Sequence, residues 1–332
     1  MLVPLAAYYG GWQVVCACRI VQGLLQGWML PSVHSLMAKW VPLSEKSSMG
    51  MLAYSGCPFG LALQLLISGF IAHAWGWAAI FYIGGTVGFV WTLIYYIFGA
   101  DCPENSKSIK SDEKEYIQHS LGHSSGKQKK LPTPWKKLLS SPAFISLTIV
   151  HVGFSWGMWT LMSEIPTYIS KVLGVNIRQN GILSALPYIT MTLMGLPFGY
   201  LSEFLLKYKL MTVSGTRKLS NSISFLGAAI ALVGLSYAGT DTTVVIALLC
   251  VAVGMSAGHV TGFMLVHLDM APNFAGTMMG ITNGVSNVIA ILGPLAAGAM
   301  LKDDAKQSEW RKLFYLTAGL YVLTNVAFIV FG

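Results

Sequence analysis

The chain has 332 residues, of which 54% are hydrophobic and 10% charged, and its net charge is +8. Soluble domains carry about 25% charged residues, so this composition excludes a cytosolic enzyme, a secreted disulfide scaffold and a disordered chain, and makes lipid the solvent. The cations lie between apolar runs rather than along one stripe, which reads as membrane topology and argues against a nucleic-acid partner.

In chain order, residues 1–8 read as the end of an apolar helix, with no basic region that would mark a signal peptide. Nine apolar runs follow at 11–36, 48–73, 76–99, 143–169, 181–203, 219–238, 243–266, 276–301 and 311–331. Each is long enough for a spanning helix, and none alternates with the period of a barrel strand. Short breaks carry turn chemistry, as in His-Ala-Trp-Gly at 73–76, Ala-Gly-Thr-Asp at 238–241 and Ala-Pro-Asn at 271–273. The long break, residues 100–142, holds Lys107, Lys110, Lys114, Lys127, Lys129, Lys130, Lys136 and Lys137, with a short amphipathic helix predicted over Ser111–Leu121. Placing this segment in the cytoplasm puts 14 basic residues there, including Lys39, Lys46, Lys207, Lys209, Arg217 and Lys218. The other side receives six, Lys171, Arg178, Lys302, Lys306, Arg311 and Lys312, mixed with Asp303, Asp304 and Glu309. The positive-inside rule therefore fixes the orientation.

The two parts echo each other. Gly76-Trp77 with Phe81-Tyr82 recurs as Glu309-Trp310 with Phe314-Tyr315 at an offset of 233, and Gly23-x-x-x-Gly27 recurs as Gly254-x-x-x-Gly258 at 231. Gly56 and Gly284 follow at 228. A parallel duplication with a long central loop is the major facilitator pattern, two parallel six-helix repeats in an all-α membrane protein. The expected units are 1–99 (part of helix 3 and helices 4–6), 100–142 (cytoplasmic loop) and 143–332 (helices 7–12). By the offset, the first repeat is expected to start roughly 90 residues before Met1, so helices 1–2 and most of 3 are expected to be missing.

Arg19 is the one charge deep in the first complete run, where an isolated arginine costs at least ~2.5 kcal/mol on insertion scales. It is either an anion-binding cation in a central pathway or a structural arginine bonded to carbonyls or a neighbouring helix. Gln26 and His34 follow at near-multiples of 3.6, which predicts one shared helix face. Glu164 and Glu203 lie near span ends, where a carboxylate anchors or couples ions. His151 and His259 lie inside spans, as proton carriers or as packing residues. His267 and Asp269 sit at the cytoplasmic mouth of their span, where a gate-closing salt bridge and helix-end capping are the two readings. Pro31, Pro58, Pro187 and Pro294 interrupt spans, as kinks or where backbone lines a cavity. Cys16, Cys18, Cys57, Cys102 and Cys250 form no metal-binding or redox motif, and catalytic motifs are absent.

The run Arg19-Ile-Val-Gln22-Gly23-Leu-Leu-Gln26-Gly27, followed by Pro31, His34, Trp40, Pro42 and Glu45-Lys46, resembles the fourth-helix signature of the anion–cation symporter family. That family holds sialic-acid/proton cotransporters, type I sodium–phosphate cotransporters and vesicular glutamate transporters. The likeness continues through Gly76-Trp77, Asp112 to Ile117, Pro166-Thr-Tyr168, Leu183 to Tyr188, Arg217-Lys218, His267 to Pro272, Gly280-Ile281-Thr282-Asn283 and Glu309-Trp310, and covers essentially the whole chain. It implies the twelve-span fold and an anion-binding role for Arg19. Gln26 stands where the proton-coupled sialic-acid and glutamate branches carry a glutamate, closer to type I phosphate and organic-anion members. Phe154 replaces a seventh-helix arginine of the glutamate transporters, and Val266 replaces an asparagine before the His-Leu-Asp motif. A neutral glutamine takes up no proton, which argues against proton coupling at this position.

The expected function is secondary transport of a small anion, inorganic phosphate or an organic anion, by alternating access. The expected drive is sodium or membrane potential, with no bound cofactor beyond a co-transported Na⁺ or H⁺. Arg19 attracts the anion, Gln26 orients it, and Tyr54, Trp156, Tyr188 and Asn283 are candidate cavity walls. The alternatives are a proton-coupled acidic-sugar symporter and, in another class, a truncated, non-transporting membrane binding or regulatory subunit. The expected setting is a monomer, multi-pass in the plasma membrane or a lysosomal or vesicular membrane.

Overall fold

The computed structural model describes residues 1–106, 108–121, 132–301 and 305–332. Lys107, Lys127, Lys129, Lys130, Lys302, Asp303, Asp304 and the Arg178 side chain, all used for orientation above, lie outside the described residues. Described elements are helical, and nine helices among them are long and apolar enough to cross a membrane. The first part comprises α1 (Leu2–Tyr9), α2 (Gly11–Gln26), α3 (Met29–Trp40), α4 (Lys46–Trp75) and α5 (Trp77–Phe98). The connecting segment carries α6 (Ser111–Ser120) and α7 (Trp135–Leu139). Then come α8 (Pro142–Val172), α9 (Ile177–Lys207), α10 (Val213–Leu235), α11 (Thr242–Met255), α12 (Val266–Met270), α13 (Ala275–Ala290), α14 (Leu292–Met300) and α15 (Gln307–Phe331).

Side-chain caps start the later helices where the sequence offers acceptors. Ser141 caps α8 with Pro142 in the first turn, Asn176 caps α9, Thr212 caps α10, and Asp241 accepts from both Thr243 and Val244 at the head of α11. Each cap satisfies amide groups that have no partner within the helix. Gly76, at φ +77°, supplies the left-handed turn that ends α4 and starts α5. The predicted helix in the loop is α6. It docks on the first part through Tyr116 donating to Glu45 at 2.8 Å and the Ser120 hydroxyl accepting from the Leu43 amide at 3.2 Å, and its Ile117 is buried. A hydrogen bond from Gln118 holds the Glu104 carboxyl below the usual carboxylate range.

The core lies in the second part, where Trp310, Tyr168, Tyr188 and Tyr321 are among the largest fully buried side chains. In the first part, α2 and α5 bury no residue, whereas α4 buries the stripe Ser47, Met51, Tyr54, Pro58 and Ala62. That stripe packs antiparallel on α9. A Cβ at Gly195 would meet Met51 at 2.5 Å, and one at Gly181 would meet the Leu65 carbonyl oxygen at 3.0 Å, so glycines bring the two backbones together along most of their length. The duplicated glycine motif behaves differently in its two copies. Gly254 packs on Thr190 and Gly258 on Phe198, both of α9, while Gly23 has no neighbour within 4 Å.

The span Thr242–Met270 is broken in its middle. α11 passes into a 3₁₀ turn (Ser256–His259) and a π turn (Val260–Met264) before α12. Gly262 permits the break to lie against α10, since a Cβ there would meet the Cα of Asn221 at 3.0 Å. Broken backbone frees carbonyl groups inside the bundle, and protein donors take them up.

Candidate functional site

The break places two polar clusters between the parts of the chain. The first lies at the end that basic residues assign to the cytoplasm. Lys46, at the head of α4, donates to Asp269 Oδ1 at 3.2 Å and to the Leu268 carbonyl at 3.4 Å. Arg217 of α10 donates from Nε to Asp269 Oδ2 at 2.8 Å, and from Nη1 to Ser47, Ser202 and the Thr261 carbonyl, each at 3.2 Å. The Ser47 and Ser202 hydroxyls are bonded at 2.9 Å, and the Glu203 carboxylate accepts from the Ser48 amide at 2.9 Å, so α9 caps the first turn of α4. The Arg217 side chain is 3% exposed and Asp269 18%, so these charges are largely withdrawn from water and depend on one another.

The second cluster lies deeper. His34 of α3 bonds through Nε2 to the Met264 carbonyl at 3.1 Å, and Tyr54 bonds His34 Nδ1 at 2.9 Å. The same carbonyl receives His267 Nδ1 at 2.8 Å, His267 Nε2 bonds Thr282 at 2.8 Å, and Thr282 bonds His151 Nδ1 at 3.1 Å. A carbonyl only accepts, which puts the neutral His267 proton on Nδ1. His34 faces a carbonyl at each ring nitrogen, Met264 at 3.1 Å from Nε2 and Leu30 at 3.3 Å from Nδ1. The shorter contact, with the Tyr54 hydroxyl at 2.9 Å from Nδ1, favours the Nε2 proton. His34 carries its proton on Nε2 and receives the Tyr54 hydroxyl at Nδ1. His267 carries its proton on Nδ1 and receives the Thr282 hydroxyl at Nε2, and His151 donates from Nδ1 to Thr282. Every donor thus points toward Met264.

The structure brings His34, Tyr54, His151 and His267 into this one chain. His259 stacks on Phe154 with ring centroids 3.8 Å apart and bonds the Ser256 carbonyl at 2.7 Å. Asp269 and His267 part company: the carboxylate enters the ion cluster, and the imidazole turns to Thr282. Arg19 and Gln26 do not share the environment of His34, contrary to the single-face expectation. The helix is interrupted at Gly27–Trp28, and α2 buries nothing while His34 is fully buried. Arg19 is exposed, bonds Gln22 at 3.3 Å and lies over the Phe81 ring at 5.3 Å. Trp156 and Tyr188 are buried with the indole N–H and phenol O–H unpartnered, and Asn283 is half-buried, bonding Asn287. Glu164 is half-buried at the opposite end, accepting from Ser163 at 3.2 Å. Lys46 and Arg217 entered the sequence reading only as topology markers and motif members, and Thr282 only as part of a motif. Their pairing depends on contacts between different helices, separated by 223 residues for Lys46–Asp269, 52 for Arg217–Asp269 and 131 for Thr282–His151, which no local pattern encodes.

A sequence profile of the Major Facilitator Superfamily matches residues 1–294 and 181–332. A "Putative inorganic phosphate cotransporter" of Drosophila ananassae is 37% identical over 336 residues, covering 100% of this chain and 69% of that protein. The chain belongs to the anion–cation symporter family of the major facilitator superfamily. Human sialin is 31% identical over 333 residues, covering 100% of the chain and 66% of sialin. Human vesicular glutamate transporter 2 is 31% identical over 337 residues, with 57% of it covered. The chain therefore spans roughly 57–69% of the length of these relatives. Among solved structures, a bacterial homologue of the iron transporter ferroportin in an outward-facing state aligns at TM-score 0.54 and 12% identity, covering 99% of this chain and 92% of that one, which shows the fold. The chain is a multi-pass membrane protein of a transporter family rather than an enzyme.

Proposed function

We propose that the chain carries a small anion, inorganic phosphate or an organic anion, by alternating access, with its cytoplasmic end closed in this structure. The observation that carries this reading is the Lys46–Asp269–Arg217 cluster, in which a cation from the first part and one from the second share a carboxylate. An end sealed by side-chain ion pairs opens by exchanging those pairs, without unfolding a helix. The phosphate cotransporter, sialin and glutamate transporter relatives support an anion as cargo. Arg19 is the cation for that anion and Gln26 its hydrogen-bonding neighbour. Because Gln26 takes up no proton, the drive at that position is sodium or membrane potential. A proton-coupled reading is favoured by a different observation, the histidine chain. The test is uptake of labelled phosphate and organic anions into proteoliposomes under separate sodium, potential and pH gradients. Uptake that follows sodium or potential supports the first reading, and uptake that follows only the pH gradient supports the second.

A further inference from the structure

We propose that His34 Nδ1 is a proton-binding site whose occupancy holds the cytoplasmic gate shut. The inference rests on the alternating-access reading for its meaning, but on the hydrogen-bond geometry for its substance. In the chain running from Tyr54 to His151, one hydrogen bond alone joins the two parts: His34 Nε2–H to the Met264 carbonyl. Tyr54 and His34 stand on the first part, and Met264, His267, Thr282 and His151 on the second. Separating α3 and α4 from the broken span must break that bond and leave the His34 Nε2–H without its partner, while the Met264 carbonyl keeps the bond from His267 Nδ1.

Nδ1 has a partner in either proton state. When bare, it accepts the Tyr54 hydroxyl at 2.9 Å. When protonated, it donates to the Leu30 carbonyl one turn back on α3, at 3.3 Å, or to the Tyr54 oxygen, which turns from donor to acceptor and keeps its own proton. The step is the formation of one N–H bond, with no other bond broken. The resulting imidazolium makes the crossing bond charge-assisted, roughly twice as strong as the neutral one. Protonation therefore tightens the contact between the parts, and proton release loosens it.

The proton does not leak through. Met264 offers only lone pairs, so a proton arriving through His151 and Thr282 stops at His267. The titratable groups facing His34 are Tyr54 on α4, with Cys57 beside it, His267 on α12, and His151 on α8 beyond Thr282; α13 presents Thr282 itself. Nearer the cytoplasm stand Lys46, Arg217 and Asp269, two cations and one anion. With the His34 and His267 rings 5.2 Å apart and that cluster positive, one imidazolium opposes a second, and the site holds one proton at a time.

The test is a distance measurement on the purified chain in lipid nanodiscs. Spin labels are placed at the exposed positions Leu43 and Tyr208, one on each part at the cytoplasmic end, in a cysteine-free background. The expected result is a short distance at pH 5.5 and a growing longer population toward pH 8.5. His34→Gln keeps an amide donor for Met264 but cannot titrate, and is expected to give a distribution independent of pH. Tyr54→Phe removes the donor that favours bare Nδ1, and is expected to raise the midpoint by roughly 0.4–1 pH unit. His267→Gln is expected to keep the pH response. A distribution that ignores pH in the unsubstituted protein, or a pH response that survives in His34→Gln, overturns the proposal. Anion uptake into proteoliposomes is scored separately. A pH-dependent distance without uptake overturns transport and leaves the latch, and uptake with a pH-invariant distance overturns the latch and leaves transport.

Discussion

Two cations from different parts of the chain, Lys46 and Arg217, share the Asp269 carboxylate at 3.2 and 2.8 Å. Removing that carboxylate leaves both cations in a site where Arg217 has little water and no other counter-ion among its described bonds. Breaking a buried pair in this way costs about 3–5 kcal/mol. Asp269→Asn is therefore expected to shift the protein toward the cytoplasm-open state, read as faster modification of a cysteine placed at Ser47 or Ser202, while overall helicity is kept. Unchanged modification rates would show that the ion pairs do not hold the end closed. A double-mutant cycle with Lys46→Met separates the pair from its surroundings, and coupling above roughly 1 kcal/mol is expected for a contact this withdrawn from water.

At the scale of elements, the broken span Thr242–Met270 sets the geometry of both clusters, because the carbonyls of Thr261, Met264 and Leu268 serve Arg217, the two histidines and Lys46. Two glycines let it sit where it does, for different reasons. A Cβ at Gly262 would meet the Asn221 backbone, which cannot move without α10, so Gly262→Ala is expected to destabilise by about 1–3 kcal/mol. A Cβ at Gly50 would meet the ends of the Leu265 and Met37 side chains, which can rotate away, so Gly50→Ala is expected to cost clearly less. Thermal unfolding in detergent compares the two, and equal losses would contradict this account. The spans and the loop helix α6 were legible from the sequence, because hydropathy and amphipathic spacing are local properties of a run. The break at residues 256–264 was not, since Val260 to Met264 is an apolar run that continues a helix on local grounds. It takes Arg217, His34 and Lys46, brought in from distant segments, to satisfy the freed carbonyls. For the same reason the sequence could nominate His34, His151 and His267 singly without showing that Met264 and Thr282 join them.

At the scale of the whole molecule, the proposed orientation rests on the distribution of charge, and the proposed closed end on the contacts between the parts. Cys102 lies in the basic segment, outside the spans and half-buried. In intact cells with the chain in the plasma membrane, a membrane-impermeant maleimide is expected to leave Cys102 unmodified until the cells are permeabilised, with Cys102→Ser as the blank. Modification without permeabilisation would reverse the topology and move the ion cluster to the outer face. The duplicated glycine motif also carries information at this scale. Gly254 and Gly258 bring α11 onto α9, whereas Gly23 on α2 meets nothing within 4 Å, and the same helix leaves Arg19 exposed beside Gln22 and Phe81. The sequence nominated Arg19 by its depth in an apolar run, and the proposed anion role rests on that placement and on the family resemblance. The most direct measurement is uptake of labelled phosphate and organic anions by the protein reconstituted in liposomes, compared with Arg19→Ala inserted at equal density. The account predicts saturable anion uptake that falls at least about tenfold in Arg19→Ala, the loss of a charge-assisted bond of roughly 1.5–3 kcal/mol. Uptake equal in the two proteins would contradict it.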